Sequence, residues 1–358
     1  MRGPLHCPHM KSILVIRWGA IGDLLMTTPL LRTLRQRWPG VHISFACDHG
    51  LAGVVHATGL VDEVIGIDKR TEYTLTTLPA LRRRLRVRPY DLALDLQPVF
   101  RSRFLAWLSG AQRVLHVPRD PQFGPGRPAR RTAAENFIAV LGPLGVGGPL
   151  DGLHLSYVPA QDAQQRAQTL LDQLGVPAGR YVLVNPGASA ANRRWPADHL
   201  RQTLRELRSR HPDLEVLLLG GPGDIAQFEA IDVQSLQDPK IHVLIGTVDL
   251  QTTASLMALS ATTLSTDTGP MHIAAAVNAP LVALFGPTSP ARTGPAPRGP
   301  GLEGLARARM DPITLQDAST DLACRPCDQR DCARGDLACI HRVSPLTVVD
   351  AVAQQLRA

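Results

Sequence analysis

Residues 264–295 read LSTDTGPMHIAAAVNAPLVALFGPTSPARTGP, and this stretch holds a strand end, a turn, a helix start, a second strand and a Gly-Pro turn. Residues 264–266 end a buried strand, Asp267 or Thr268 can cap a helix, and Pro270 suits a first helical turn, where its missing N–H costs nothing. A helix therefore opens beside Gly269. Its first amides lack internal partners and its dipole end is positive, so the expected occupant is an anion such as the diphosphate of a nucleotide-activated molecule. Thr268 and Gly269 supply those amides, and His272, one turn further on, either donates to the anion or is an internal histidine. Beyond Ala279 the apolar run 280–285 meets Gly286-Pro287-Thr288, a second backbone-lined lip on the same edge. In open α/β sheets, ligands sit at the carboxyl ends of strands. An ordinary, well-capped strand-helix-strand unit would use the same residues.

Around this stretch the chain keeps a strand-helix rhythm. Strands are expected at 11–17, 41–46, 63–67, 91–95 and 113–117, then at 181–185, 214–219, 241–244, 262–266 and 280–284. Helices are expected at 23–38, 134–144, 196–211, 225–235, 251–259 and 271–277, an alternation that belongs to parallel sheets. Residues 118–131, rich in Pro, Gly and Arg, read as a mobile loop, and 155–163 as a linker. The fold class is α/β, with two Rossmann-like domains facing across a cleft. The first covers 1–158 and the second 164–344, with a final helix over 345–358 packing back across the domains. A length of 358 residues agrees with two domains.

The chain is 44% hydrophobic and 19% charged, as soluble globular proteins are. Its longest apolar runs, such as 216–219 and 281–285, fall far short of the ~20 residues that cross a bilayer. The two prolines within residues 1–9 argue against a secretory signal, so a cytoplasmic protein is expected, and a monomer is favoured. A formal net charge of +7 favours acidic partners. Nucleic acid is not among the expected ones, because only 4% of residues are aromatic and no helix-turn-helix or zinc-finger spacing occurs. The arginine-rich run 82–88 reads either as a solvated helix face or as a membrane-facing basic helix.

The segments Thr266-Asp267-Thr268-Gly269-Pro270-Met271-His272, Ala274-Ala275-Ala276 and Leu284-Phe285-Gly286-Pro287-Thr288 resemble the hallmark of glycosyltransferase family 9. That family contains the ADP-heptose:lipopolysaccharide heptosyltransferases. Arg17-Trp18-Gly19-Ala20-Ile21-Gly22-Asp23 with Thr28-Pro29 is similar to its opening signature. Asn185-Pro186-Gly187-Ala188 with Arg193-Arg194-Trp195-Pro196 resembles its second-domain entry, and the cysteines 324–339 resemble a cluster found in many members. The resemblance implies the GT-B fold and an inverting glycosyltransferase. Such an enzyme moves a heptose or related sugar from an ADP-sugar to a lipopolysaccharide inner-core or similar glycolipid. The acidic acceptor would be met peripherally at the cytoplasmic face of the inner membrane. No cofactor is then required and no metal serves catalysis; the nucleotide-diphosphate sugar, ADP-heptose by resemblance, is substrate.

Such a transfer needs a base for the acceptor hydroxyl, a site for the departing diphosphate and donors that orient the sugar. Asp23 comes after the first strand in the turn Gly19-Ala20-Ile21-Gly22, which lets the backbone approach a ligand closely. By resemblance it is the catalytic base; by position it is equally a helix N-cap. Arg193 matches the family's cation two residues before Trp, with Arg194 as the fallback, and would stabilise the leaving group beside Thr268 and Gly269. Asp267 would be repelled by phosphate, so it grips sugar hydroxyls, as the resemblance implies, or caps the helix. Asp224, in Gly220-Gly221-Pro222-Gly223-Asp224, binds ribose hydroxyls or caps a helix, and Asn185, Gly187 and Ser189 line the pocket from a third loop. On the acceptor side stand Gly22, Arg101 and Arg119.

Cys324, Cys327, Cys332 and Cys339 form C-x2-C-x4-C-x6-C, while Cys7 and Cys47 stand apart. The cluster is a candidate structural metal site; free or redox-variable thiols and disulfides remain the alternatives. Two rival functions are a GT-B sugar-nucleotide epimerase or hydrolase and a nucleotide-sugar binding protein without catalysis. The presence of Asp23, Arg193 and Asp267 speaks against the second.

Overall fold

The computed structural model describes residues 10–357 except positions 69, 75, 98, 119–129, 296–310, 317–321 and 328. The loop read at 118–131 and Cys7 therefore lie largely or wholly outside the described residues. The chain divides into two compact units, the change falling between Val158 and Pro159.

The first unit has strands β1 (Ser12–Ile16), β2 (His42–Asp48), β3 (Glu63–Ile67), β4 (Leu92–Asp95) and β5 (Arg113–His116). Its helices are α1 (Ile21–Leu25), α2 (Thr28–Arg37), α3 (Ala52–His56), α4 (Leu78–Leu85), α5 (Phe100–Ser109) and α6 (Ala133–Ile138). The strands form one parallel sheet in the order β3-β2-β1-β4-β5. Every residue of β1 is buried, as a central strand covered on both faces requires. The order reverses between β1 and β4, so the carboxyl ends of these two strands flank the switch point.

The single helix expected at 23–38 is two. Pro29 has no N–H to give the Leu25 carbonyl, and the Thr28 hydroxyl takes that carbonyl instead at 2.7 Å. The helix expected at 134–144 likewise tightens after Ile138 into a 3-10 turn, Ala139–Leu144, that contains Pro143.

The second unit has β6 (Tyr181–Asn185), β7 (Glu215–Leu218), β8 (Ile241–Val243), β9 (Thr262–Thr266), β10 (Leu281–Phe285) and β11 (Ile313–Gln316). Its helices are α7 (Gln161–Leu174), α8 (Ala197–Arg210), α9 (Ile225–Ile231), α10 (Leu250–Leu259), α11 (Gly269–Ala276), α12 (Pro290–Thr293), α13 (Ala338–His341) and α14 (Pro345–Arg357). Its parallel sheet runs β11-β10-β9-β6-β7-β8, reversing between β6 and β9. Both units thus repeat one doubly wound plan, the α/β arrangement of the GT-B class.

A further element departs from the sequence reading. Helix α7 begins inside the stretch read as a linker, because the polar residues there, Gln161, Asp162 and Gln164, form its outer face. Ala163, Ala167 and Leu171 form the buried one, packed on α10. The terminal helix α14 is built into the second unit: Val348, Val349 and Val352 are fully buried in a core shared with Leu204 and Val282. Among the described residues no helix is long and apolar enough to cross a membrane.

Candidate active site

The register of the second sheet aligns Asn185 with Ser265, and Leu284 with Thr266. The loops after β6, β9 and β10 therefore leave the sheet side by side. They are stitched together: the Thr266 hydroxyl donates to the Gly187 carbonyl at 2.8 Å, and the Asp267 N–H donates to the Leu284 carbonyl at 3.0 Å. Asp267 is 4% exposed. Its Oδ2 accepts the Thr288 hydroxyl at 2.5 Å and lies 3.5 Å from Arg193 Nη1. A carboxylate so deeply placed stays tolerable because both partners meet its charge.

Thr268 takes the N-cap position of α11 in an extended conformation, but its side chain makes no capping hydrogen bond, and its hydroxyl points back to the Thr266 carbonyl at 3.3 Å. The amides at Gly269 are left to an outside acceptor. Arg193 ends the 3-10 turn Ala191–Arg193. Its side chain is one-third exposed, and its Nε is buried without a hydrogen-bond partner among the described residues. Arg194 turns away, and its Nε donates to the Ala188 carbonyl at 3.0 Å. The two arginines are thus distinguished: one braces the loop, the other meets Asp267.

Asp224 arrives from the end of β7 and accepts the Gly221 N–H at 2.9 Å. Its carboxylate packs directly on Gly187, where an added Cβ would fall 2.7 Å from the carboxyl atoms. A side chain there would have to displace that carboxylate. Asn185, Gly187, Asp224, Asp267, Thr268 and Gly269 therefore occupy one edge with Arg193. Ser189 is exposed, and His272 is buried within α11 at 4% exposure. Thr288, quoted in the sequence as part of the second lip, is the residue that the reading left without a role. A depression of about 580 Å³ lined by His211, Pro280 and Gln355 lies at the opposite, amino-terminal edge of the sheet.

In the first unit, Asp23 is the third residue of α1. Its Oδ2 accepts the Ala20 N–H at 3.0 Å and its Oδ1 lies 2.9 Å from Arg17 Nη2, with 32% of the side chain exposed. Asp23 is thus not the N-cap, which is Ala20; it reaches back to the Ala20 N–H from the third helical position and keeps solvent access. Arg17 is itself fixed by the Leu96 carbonyl at 2.8 Å and by the Phe137 ring, 5.1 Å from its guanidinium. Gly19 has φ +143°, and a Cβ there would meet Leu51 at 2.6 Å, so the turn before Asp23 requires glycine. Gly22 is buried within α1. Arg101 is exposed, its guanidinium 5.9 Å from the Tyr73 ring, and Arg119 lies outside the described residues.

One pair escaped the sequence reading. Asp95, fully buried at the end of β4, sits 3.0 Å from His116 Nδ1 at the end of β5 and accepts the Gln97 N–H at 3.1 Å. An acidic residue closing an apolar strand at a switch point was the available signal.

Among the described residues no three His, Cys, Asp or Glu side chains converge on a metal site. Cys324, Cys327, Cys332 and Cys339 are free thiols. Burial and the three neighbouring sulfurs push Cys339 up to about 11, while Cys332 is held below its ordinary value. Burial opposes that lowering, and the amides of Leu337, Arg334 and Gly335 outweigh it. The loop also braces the site: the Cys327 N–H donates to the Pro287 carbonyl at 2.7 Å, and Asn192 Nδ2 donates to the Gln329 carbonyl at 2.7 Å.

The model of glycosyltransferase family 9 (heptosyltransferase) matches residues 128–303. Lipopolysaccharide heptosyltransferase 3 of Escherichia coli is 27% identical over 283 residues, covering 75% of this chain and 81% of that protein. Among solved structures, a glycosyl transferase family 9 protein from Veillonella parvula superposes with a TM-score of 0.78 at 23% identity, covering 97% of each chain. The E. coli ADP-heptose lps heptosyltransferase II gives 0.72 at 21%, covering 97% of this chain and 98% of that one.

Proposed function

Because the chain belongs to glycosyltransferase family 9 and is a glycosyltransferase, we propose that it transfers a heptose from an ADP-sugar to a lipopolysaccharide inner-core or similar glycolipid acceptor, with inversion at the anomeric carbon. Two of the proteins named above carry lipopolysaccharide or ADP-heptose in their names, which supports this substrate pair.

The second unit holds the donor. The diphosphate lies at the start of α11, where the amides of Thr268 and Gly269 and the guanidinium of Arg193 meet the charge that grows as the glycosidic bond breaks. Asp267, held by Thr288, accepts from sugar hydroxyls, and Asp224 with Asn185 and Gly187 serves the nucleoside end. The first unit supplies Asp23, which takes the proton of the acceptor hydroxyl as its oxygen attacks from the face opposite the leaving group. Inversion is the outcome of one such displacement. Protein charges carry the leaving group, so the proposed mechanism requires no cofactor. The acceptor is acidic and lipid-linked, which fits the net charge of +7.

The observation that carries this reading is the triad of Asp267, Thr288 and Arg193 beside helix amides that the Thr268 side chain does not cap. Thermal unfolding in the presence of ADP, ADP-heptose, UDP and GDP tests it. At a hundredfold excess over Kd, a true ligand adds about 2.7 kcal/mol. Preferential stabilisation by uridine or guanosine diphosphates removes the ADP-heptose assignment.

A further inference from the structure

Helix α5 sets Phe100, Phe104 and Trp107 four and three residues apart, on one helical face. Phe100 is 84% exposed and Trp107 70%, although their rings form a continuous stack through Phe104 at 6.5 and 5.7 Å. The unit's core takes Leu105, Ala106 and Leu108 from this helix, with Phe104 packed against it, whereas Phe100 and Trp107 stand outside it. The stack continues inward through Tyr73, 6.4 Å from Phe104, to Trp18, 6.1 Å from Tyr73 and adjacent to Gly19. Val87, just past α4, is 74% exposed as well. The two helices are fastened at their ends, where Arg86 Nε donates to the Leu108 carbonyl at 2.8 Å.

Charge singles out the same face. Residues 78–88 and 99–109 contain seven arginines and no carboxylate, equal to the formal net charge of +7 of the entire chain. Arg84 is engaged by Glu72, and Arg86 by Leu108. Arg82, Arg83 and Arg88 are exposed and have no carboxylate partner among the described residues. Protruding aromatic rings among unpaired arginines suit the boundary between acyl chains and headgroups, where the rings are partly dehydrated and the guanidinium groups meet anionic phosphates.

We propose that the exposed face of α4 and α5 is a docking surface for an anionic lipid bilayer. The occupant is a membrane rather than nucleic acid or a protein, because the patch keeps Arg82, Arg83 and Arg88 without a carboxylate partner among the described residues, and its apolar rings stand out instead of lining a groove. This deepens the proposed function: the unit that carries Asp23 rests on the surface in which a lipid-linked acceptor is embedded, and the aromatic stack leads from that surface toward the Asp23 turn.

The test uses the full chain and needs no turnover. Cosedimentation with vesicles of phosphatidylcholine alone and of phosphatidylcholine with phosphatidylglycerol should show binding only to the second, weakened by salt. Arg82→Gln with Arg83→Gln should lower the partition roughly fivefold per arginine, and Phe100→Ser with Trp107→Ser roughly tenfold per ring. The chain has four tryptophans, of which Trp18, Trp38 and Trp195 are buried, so brominated phosphatidylglycerol should quench Trp107 selectively. Trp107→Phe should keep the binding and lose that quenching. Indifference to both vesicle types, binding unchanged in both double variants, or aromatic variants that merely turn an associating protein into a monomer in sedimentation velocity would each overturn the proposal. The last result would make a second copy the occupant. Transfer to a delipidated, water-soluble acceptor should be unchanged in the arginine variant. Its absence in the unmodified chain would count against the enzymatic reading while leaving the vesicle data standing.

Discussion

Replacing Thr288 by valine keeps the shape of a buried side chain and removes one hydroxyl, the donor 2.5 Å from Asp267 Oδ2. The Asp267 side chain is only 6% exposed, so water cannot readily replace the lost donor, and Arg193 Nη1 at 3.5 Å is the remaining ionic partner. A hydrogen bond to a charged group contributes about 1.5–3 kcal/mol. Spread over a unit of this size, that loss lowers the melting temperature by roughly 3–10 °C. The carboxylate then draws Arg193 toward itself and away from the diphosphate, so donor KM should rise and kcat should fall. Thr288→Ser restores the hydroxyl and should recover most of both. Calorimetry with steady-state kinetics on the two variants decides the matter. A valine variant that melts within a degree or so of the unmodified protein, with donor KM unchanged, refutes the claim that Thr288 holds a charged Asp267.

Asp23→Asn should slow transfer by about a hundredfold to ten-thousandfold while leaving nucleotide affinity, read by calorimetric titration, within a few-fold; full activity would remove Asp23 as the base. Gly187→Ala should force the Asp224 carboxylate off the β6 loop and destabilise by about 1–3 kcal/mol, which denaturant unfolding will show. Asp238 is held below the ordinary carboxylate range: burial opposes this, and the Lys240 N–H and the Arg208 guanidinium prevail. Its contribution is therefore complete above its unfolded value near ~3.9 and drains away as acid brings the pH through the lower folded value. The stability gap between the unmodified protein and Asp238→Asn should accordingly be constant at neutral pH and close in acid. Iodoacetamide should label Cys332 ahead of Cys339, and Cys47, pushed up to about 12 by burial and by Asp48, last of the three; mass spectrometry of timed digests reads the order.

Central strands were legible for two reasons: β6 is an apolar run that ends at Asn185-Pro186, and β9 is a stretch rich in β-branched threonine that stops before Asp267, and both fall at the expected residues. β11 was not legible, since its four residues at a sheet edge, three half-buried and Thr314 exposed, have no continuous apolar run. The break between α1 and α2 was written in Thr28-Pro29, but a proline one residue inside a new helix reads like one inside an old helix. Of the candidate site, the glycines and Asp267 could be found because turns and strand ends constrain them. Thr288 and the Asp95–His116 pair could not, because side-chain partnerships between strands depend on register.

The edge that carries Arg193 and Asp267 is fastened from far downstream. Trp195 Nε1 donates to the Val343 carbonyl at 3.0 Å, Asn192 to Gln329, and the Cys327 amide to Pro287. Translation delivers residues 186–288 well before these anchors and before α14, whose Val348, Val349 and Val352 complete the second unit's core, so a nascent chain can finish the first unit's sheet while this edge of the second is still unsupported. Maturation of the second unit is thus deferred until residues 327–357 have left the ribosome, and fragments ending before them should retain a folded first unit without nucleotide binding.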